Sequence, residues 1–147
     1  MNLLDWLNSF WYLISPGCAC VKIANSPDES LENDQVMVKF DIERGKYLLY
    51  VGTIQPRKNI SVLIRALPLI AQFAPDMKLV VAGKKGWMYE SIIKEATDNK
   101  LAEKIIFTDF VSDDELSVLY QEAFSFVQPS LYEGFGIPIL EAMANDC

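Results

Sequence analysis

From Lys46 onward the chain alternates short apolar runs with longer amphipathic stretches. KYLLYVG (46–52), MKLVVAG (77–83), KIIFTDF (104–110) and FSFVQPS (124–130) have the length and composition of buried strands. After the first run, apolar residues recur at Ile60, Leu63, Ile64, Leu67, Ile70 and Ala71. That spacing predicts a helix over 60–73 with Asn59 as its N-cap, kinked or shortened by Pro68. MYESIIKEATDNK (88–100) and DELSVLYQEA (114–123) predict two more helices. The second is opened by Ser112, with Glu115 three residues on, the spacing of a capping box. A fourth helix is predicted from Ile137 to Ala144. Strand and helix in strict alternation predict an α/β fold, a parallel sheet flanked by helices.

The chain before Lys46 reads differently. Residues 23–45 include ANSPDESLENDQ and DIERGK and are polar and turn-rich, as in a loop or linker. The first twenty residues, MNLLDWLNSFWYLISPGCAC, are apolar but carry Asp5 and no Lys or Arg before Lys22. They fit neither a signal peptide nor a spanning helix. Ser15 and Pro16 stand where a lipoprotein would need an aliphatic residue before its cysteine. At the other end the sequence stops at Cys147, soon after the last predicted helix, and the expectation is a truncated domain.

Composition narrows the chemistry. The 147 residues suit one domain, and 51% hydrophobic with 22% charged residues is the balance of a globular protein. Thirteen Lys and Arg against twenty Asp and Glu give a net charge of −7, which argues against broad binding to nucleic acid or an anionic membrane. A phosphate ligand would need a local basic pair or backbone N–H groups. The chain has no histidine, which removes Ser-His-Asp and Cys-His catalysis and histidine-bearing metal sites. Its three cysteines, Cys18, Cys20 and Cys147, form neither a zinc pattern nor an even disulfide set, and reduced thiols in a cytoplasm are the plain reading. No Asp-x-Asp triplet occurs to clamp a metal-bound diphosphate.

In an open parallel sheet, ligands sit beyond the carboxyl ends of the strands. Four loops leave that edge, TIQPRKN, KKGW, VSDDE and LYEGFGIP, and are expected to face one crevice. In the fourth, Gly134 and Gly136 let backbone N–H groups approach a ligand, and Pro138 suits a first helical turn. Glycine amides before a helix start make an anion site. Glu133 and Glu141 flank it, and carboxylates beside a phosphate are useful when they accept hydroxyl hydrogen bonds. A diphosphate with hydroxyls at both ends, a nucleotide sugar, fits that pattern. Spacing alone equally allows a glycine-bent loop with two solvated glutamates. Arg57 and Lys58, beside Asn59, add a basic pair able to neutralise a diphosphate, or else form a solvated basic loop. Lys84 and Lys85 are a weaker pair. The spacing of a P-loop is absent, and Gly134 and Gly136 lack the third glycine of a dinucleotide fingerprint.

VGTIQPRKN, LVVAGKKG, FVSDDELSVLYQEA and PSLYEGFGIPILEAMA together resemble the C-terminal half of retaining glycosyltransferases of the two-domain GT-B type, family 4. The resemblance covers residues 46–146, and the E-x7-E element EGFGIPILEAMA is its most specific part. It implies a Rossmann-like domain that binds a nucleoside-diphosphate sugar and transfers a hexose, mannosyl or glucosyl, with retention and without metal or other cofactor. It implies catalytic roles for Glu133 at the donor sugar and for Arg57 and Lys58 at the diphosphate. Gly134, Phe135, Gly136 and Ile137 would contact sugar and phosphate, and Glu141 the ribose hydroxyls. The backbone at Val111, with Lys84, would seat the base. Thr53 stands among the substrate-binding positions where many members carry arginine, so Arg57 would cover for it. Residues 1–45 would be an interdomain remnant and linker, and 46–147 a partial nucleotide-sugar-binding domain. The acceptor, a glycan or lipid, would need an N-terminal domain not present in this sequence. Expected besides are a cytoplasmic place, at the inner face of the membrane if bound there, self-association through the truncated edge, and no nucleic acid or transmembrane segment. The rival reading is a non-catalytic nucleotide-sugar-binding module or an inert remnant.

Overall fold

Tyr47–Val51 (β1) and Lys78–Ala82 (β2) are central strands, and their unbroken apolar runs follow from burial on both faces. The structure, a computed structural model, describes residues 30–99 and 101–147. The remaining elements are helix α1 (Ser30–Lys39), α2 (Ile60–Ile70), α3 (Tyr89–Asp98), β3 (Ile105–Asp109), α4 (Asp113–Gln121), β4 (Ser125–Phe126) and α5 (Ile137–Ala144). The four strands form one parallel sheet in the order β3-β2-β1-β4. This is the α/β architecture that the alternating pattern predicts.

Side chains leave each strand on alternate faces, so one sheet serves two cores. Leu48, Tyr50, Leu79, Val81 and Ile105 pack against Ile60, Leu63, Ile64 and Leu67 of α2 and Ile92 of α3. Tyr47, Leu49, Val80 and Phe126 pack on the opposite face with Leu119 and Tyr120 of α4, Ala142 of α5 and Val36 and Met37 of α1.

The largest departure from expectation is α1. It occupies Ser30–Lys39, within the stretch expected to be a loop. Apart from Leu31 its apolar residues are the consecutive Val36 to Val38, so no helical period shows in the sequence. Packing supplies what periodicity lacks. Val36 and Met37 are buried, Asn33 Nδ2 donates to the buried Glu122 Oε1 at 3.0 Å, and Lys39 pairs with Glu115. The N-terminal stretch through residue 29, with Cys18 and Cys20, lies outside the described residues.

Smaller departures have local causes. Helix α2 runs through Pro68 and ends at Ile70, short of Phe73. Asn59 stands at its N-cap position but in the left-handed region (φ 56°), and its side chain does not cap. That side chain donates instead to the Pro129 carbonyl at 3.2 Å. Strand β4 spans two residues rather than seven, since Pro129 has no N–H for a ladder. The Ser112 capping box is formed as expected, with Glu115 N donating to Ser112 Oγ at 3.3 Å and Ser112 N to Glu115 Oε2 at 3.1 Å. No helix among the described residues is long and apolar enough to cross a membrane.

Candidate functional site

Because all four strands are parallel, their carboxyl ends lie on one edge, and the four loops leave from it. Strands β2 and β3 lie on one side of β1, and β4 lies on the other. The strand order therefore reverses between β1 and β4, where the departing loops diverge and open sheets hold their ligands. Arg57 and Lys58 follow β1, and Glu133 follows β4.

The structure brings those residues together. Lys58 Nζ forms an ion pair with Glu133 Oε1, and the two side chains are only 12% and 25% exposed. Ser130 Oγ donates to the same Oε1 at 2.6 Å. Burial alone would raise the Glu133 carboxyl. Hydrogen bonds from Lys58, Ser130 and Gln128, with the charge of Lys58, outweigh it and hold the group below the usual glutamate range. Arg57 is exposed, and its Nη1 donates to the Tyr132 carbonyl at 3.2 Å. The basic pair is thus unequal, because Lys58 is already neutralised while Arg57 faces solvent. Beneath them burial raises the Tyr50 hydroxyl, assisted by the charge of Glu133 and opposed by Arg57. It stays protonated and lies 3.5 Å from the Thr53 carbonyl.

The other expected residues form separate groups. Glu141, on α5, accepts from the Tyr120 hydroxyl at 3.1 Å. Lys84 sits over the Phe110 ring, 5.7 Å from its centroid, and Lys85 pairs with Asp109 at 3.0 Å. Val111 is buried in the second core. Thr53, Phe135 and Ile137 are exposed. Gly136 has φ +73°, a conformation that favours glycine, just before α5. A side chain at Gly134 would meet no neighbour within 4 Å of its Cβ, so the surface there is open to an approaching ligand. Among the described residues no hydrogen bond or ion pair joins Glu141 or Lys84 to the Lys58–Glu133 pair. The same residues hold no group of three or more His, Cys, Asp or Glu fit for a metal ion.

Backbone bonds tie the loops to one another. Ile54 N donates to Lys84 O at 2.9 Å, and Gly86 N to Ile54 O at 3.0 Å. Gly83 N donates to Asp109 O at 3.1 Å, and Leu131 N to Arg57 O at 3.1 Å. A Cβ on Gly83 would meet Gly52 O at 2.2 Å, so the first two loops touch backbone to backbone.

The profile described as "Glycosyl transferases group 1" matches residues 33–147. The chain belongs to the group 1 glycosyl transferases. Within the group it is 37% identical over 129 residues to the O-antigen chain mannosyltransferase B of Escherichia coli, covering 86% of this chain and 33% of that protein. It is 42% identical over 101 residues to the serotype-specific mannosyltransferase WbdA of the same species, covering 67% of this chain and 12% of that one. The chain thus spans a third or less of the curated relatives it matches. The solved structure of Anabaena HepE in complex with UDP superposes with a TM-score of 0.66 at 21% identity, covering 81% of this chain and 32% of that one. WaaG, a glycosyltransferase involved in lipopolysaccharide biosynthesis, gives 0.65 at 20% identity over 86% and 35%. These two likenesses establish the fold of this glycosyl transferase domain.

Sequence reasoning missed Ser130, Gln128 and Tyr120. Ser130 had a signal, since S-L-Y-E repeats the Ser-x-x-Glu spacing of a capping box outside a helix. Tyr120 had none, because only the packing of α4 on α5 brings it to Glu141.

Proposed function

We propose that this domain is the donor side of a glycosyltransferase that moves a hexosyl group from a nucleoside-diphosphate sugar with retention of configuration and without a metal. The observation that carries the reading is the meeting of Lys58 and Glu133 at the reversal of strand order between β1 and β4. A diphosphate placed there would draw Lys58 and Arg57, and the two cations would stabilise the departing nucleoside diphosphate. The amides of Gly134 to Gly136 and the start of α5 would take phosphate and sugar oxygens. Glu133 would accept from the sugar hydroxyls, and Glu141 from the ribose. The Val111 backbone and Lys84 would line the base. A mannosyl donor is favoured because the two relatives above are named mannosyltransferases. The acceptor, a glycan or lipid, would be held by parts of the longer relatives that these residues do not match, and the 147 residues alone are expected to bind donor without transferring it.

Calorimetry with GDP, UDP and ADP, then GDP-mannose and UDP-glucose, all in EDTA, tests the reading. One diphosphate and its sugar nucleotide should bind, with no change on adding magnesium. Silence from all of them in folded protein would overturn it.

A further inference from the structure

Glu133 is held by more than Lys58. Ser130 Oγ donates to its Oε1 at 2.6 Å, and Gln128 adds a side-chain hydrogen bond. The Gln128 Oε1 is itself buried without a hydrogen-bond partner among the described residues. Of these donors only Lys58 carries a charge, so only Lys58 is drawn away by a diphosphate. Glu133 would then lose its strongest partner as the sugar arrives.

Ser130 is suited to take over. The residues on either side of it are pinned to the first loop, Pro129 by the bond from Asn59 Nδ2 at 3.2 Å and Leu131 by its N–H to Arg57 O at 3.1 Å. Glu133, three residues on, lies between the exposed Tyr132 and the open Gly134. The serine is held from both sides by the first loop, and a carboxylate held from it beforehand loses less ordering entropy on binding. We propose that Ser130 is a positioning residue, whose hydroxyl keeps the Glu133 carboxylate aimed at the donor sugar while Lys58 is drawn to the diphosphate. The proposal rests on the donor-site reading above.

The test uses Ser130→Ala and Ser130→Thr in the full chain. The Glu133 carboxyl is titrated by carbon NMR without ligand, and GDP, GDP-mannose, UDP and UDP-glucose are measured by calorimetry. Ser130→Ala should move the Glu133 midpoint upward and weaken the sugar nucleotide about tenfold, the effect of one hydrogen bond to a charged group. It should leave the nucleoside diphosphate unchanged, and Ser130→Thr should restore both values. An unmoved midpoint overturns the proposal, as does equal weakening of both ligands or failure of threonine to rescue. A wild-type chain that binds no nucleotide overturns the donor-site reading instead. The midpoint, read without ligand, then still separates a serine that holds the carboxylate from one that does not.

Discussion

The Tyr120 hydroxyl donates to Glu141 Oε2 at 3.1 Å and lies 3.3 Å from the Pro138 carbonyl, joining the end of α4 to the start of α5. Burial, then the charge and hydrogen bond of Glu141, push this phenol well above its ordinary value, so it remains a donor throughout the useful pH range. Tyr120→Phe keeps the ring against Phe126 but removes the donor. We expect a loss of about 1–2 kcal/mol, on the order of 2–8 °C in Tm, measured by calorimetric melting. Nucleoside diphosphate affinity should fall with it, because Glu141 loses the bond that orients it.

The two glutamates of the E-x7-E element should not behave alike. Glu141 stands on a helix with Tyr120 behind it, and Glu133 on a loop facing Lys58. Glu141→Ala should weaken a nucleoside diphosphate and its sugar nucleotide equally, by about tenfold to a hundredfold. Glu133→Ala should weaken only the sugar-bearing ligand, and it should free Lys58 to bind the bare diphosphate at least as well as before. Titration of both variants with both ligands checks the division.

Three carboxyls, Asp41, Glu115 and Glu133, should govern stability in acid, Asp41 being held low by the hydrogen bond and charge of Lys78. Glu115 is held below the ordinary glutamate value of 4.5 by Lys39 and by the Ser112 N–H, and Glu133 is held below it by the bonds that overcome its burial. A depressed folded value means the stabilisation is complete above the unfolded value and is lost as pH falls through the folded one. Tm should therefore be level from neutral pH to about 4.5 and decline below it. Lys39→Ala should soften that decline, because it removes the cause of one shift.

The glycines divide by mechanism. Gly83 has φ +149°, and an added Cβ would sit 2.2 Å from Gly52 O, so Gly83→Ala combines strain with a backbone clash. It should cost about 2–5 kcal/mol. Gly45, at φ +67° with nothing within 4 Å, carries strain alone, and Gly45→Ala should cost about 1 kcal/mol. Gly134→Ala should leave stability unchanged, since its space is open. Chemical denaturation of the three variants gives the order.

An apolar run lies exposed along Leu131, Tyr132, Phe135, Ile137, Leu140 and Met143, with Phe135 81% exposed. Surface of this kind associates. Sedimentation velocity should show concentration-dependent self-association, reduced by Leu140→Lys on α5.

The sheet and its four following helices were legible because burial on both faces leaves unbroken runs such as YLLYV and KLVVA, and Ser112 announces its helix in four letters. Helix α1 was not, because Val36 and Met37 gain their burial from α4, a contact invisible along the chain. Lys58 and Glu133 could be nominated from their loops. Their ion pair could not, for it depends on β4 lying beside β1. The same holds for Asn59, whose sequence suits a cap while its side chain serves Pro129.

The backbone links along the carboxyl edge are unequally shared. The loops after β1 and β2 and the end of β3 are stitched by main-chain bonds, with a carbonyl lodged where Gly83 lacks a side chain. The segment after β4 meets them through the Leu131 N–H and through side chains from Arg57, Lys58 and Asn59. The crevice therefore has a stiff jaw and a compliant one. An arriving diphosphate would compete for Lys58 and Arg57 and so loosen the side-chain links to the segment after β4, while Leu131 stays anchored to Arg57 O and α5 stays joined to α4 through Tyr120.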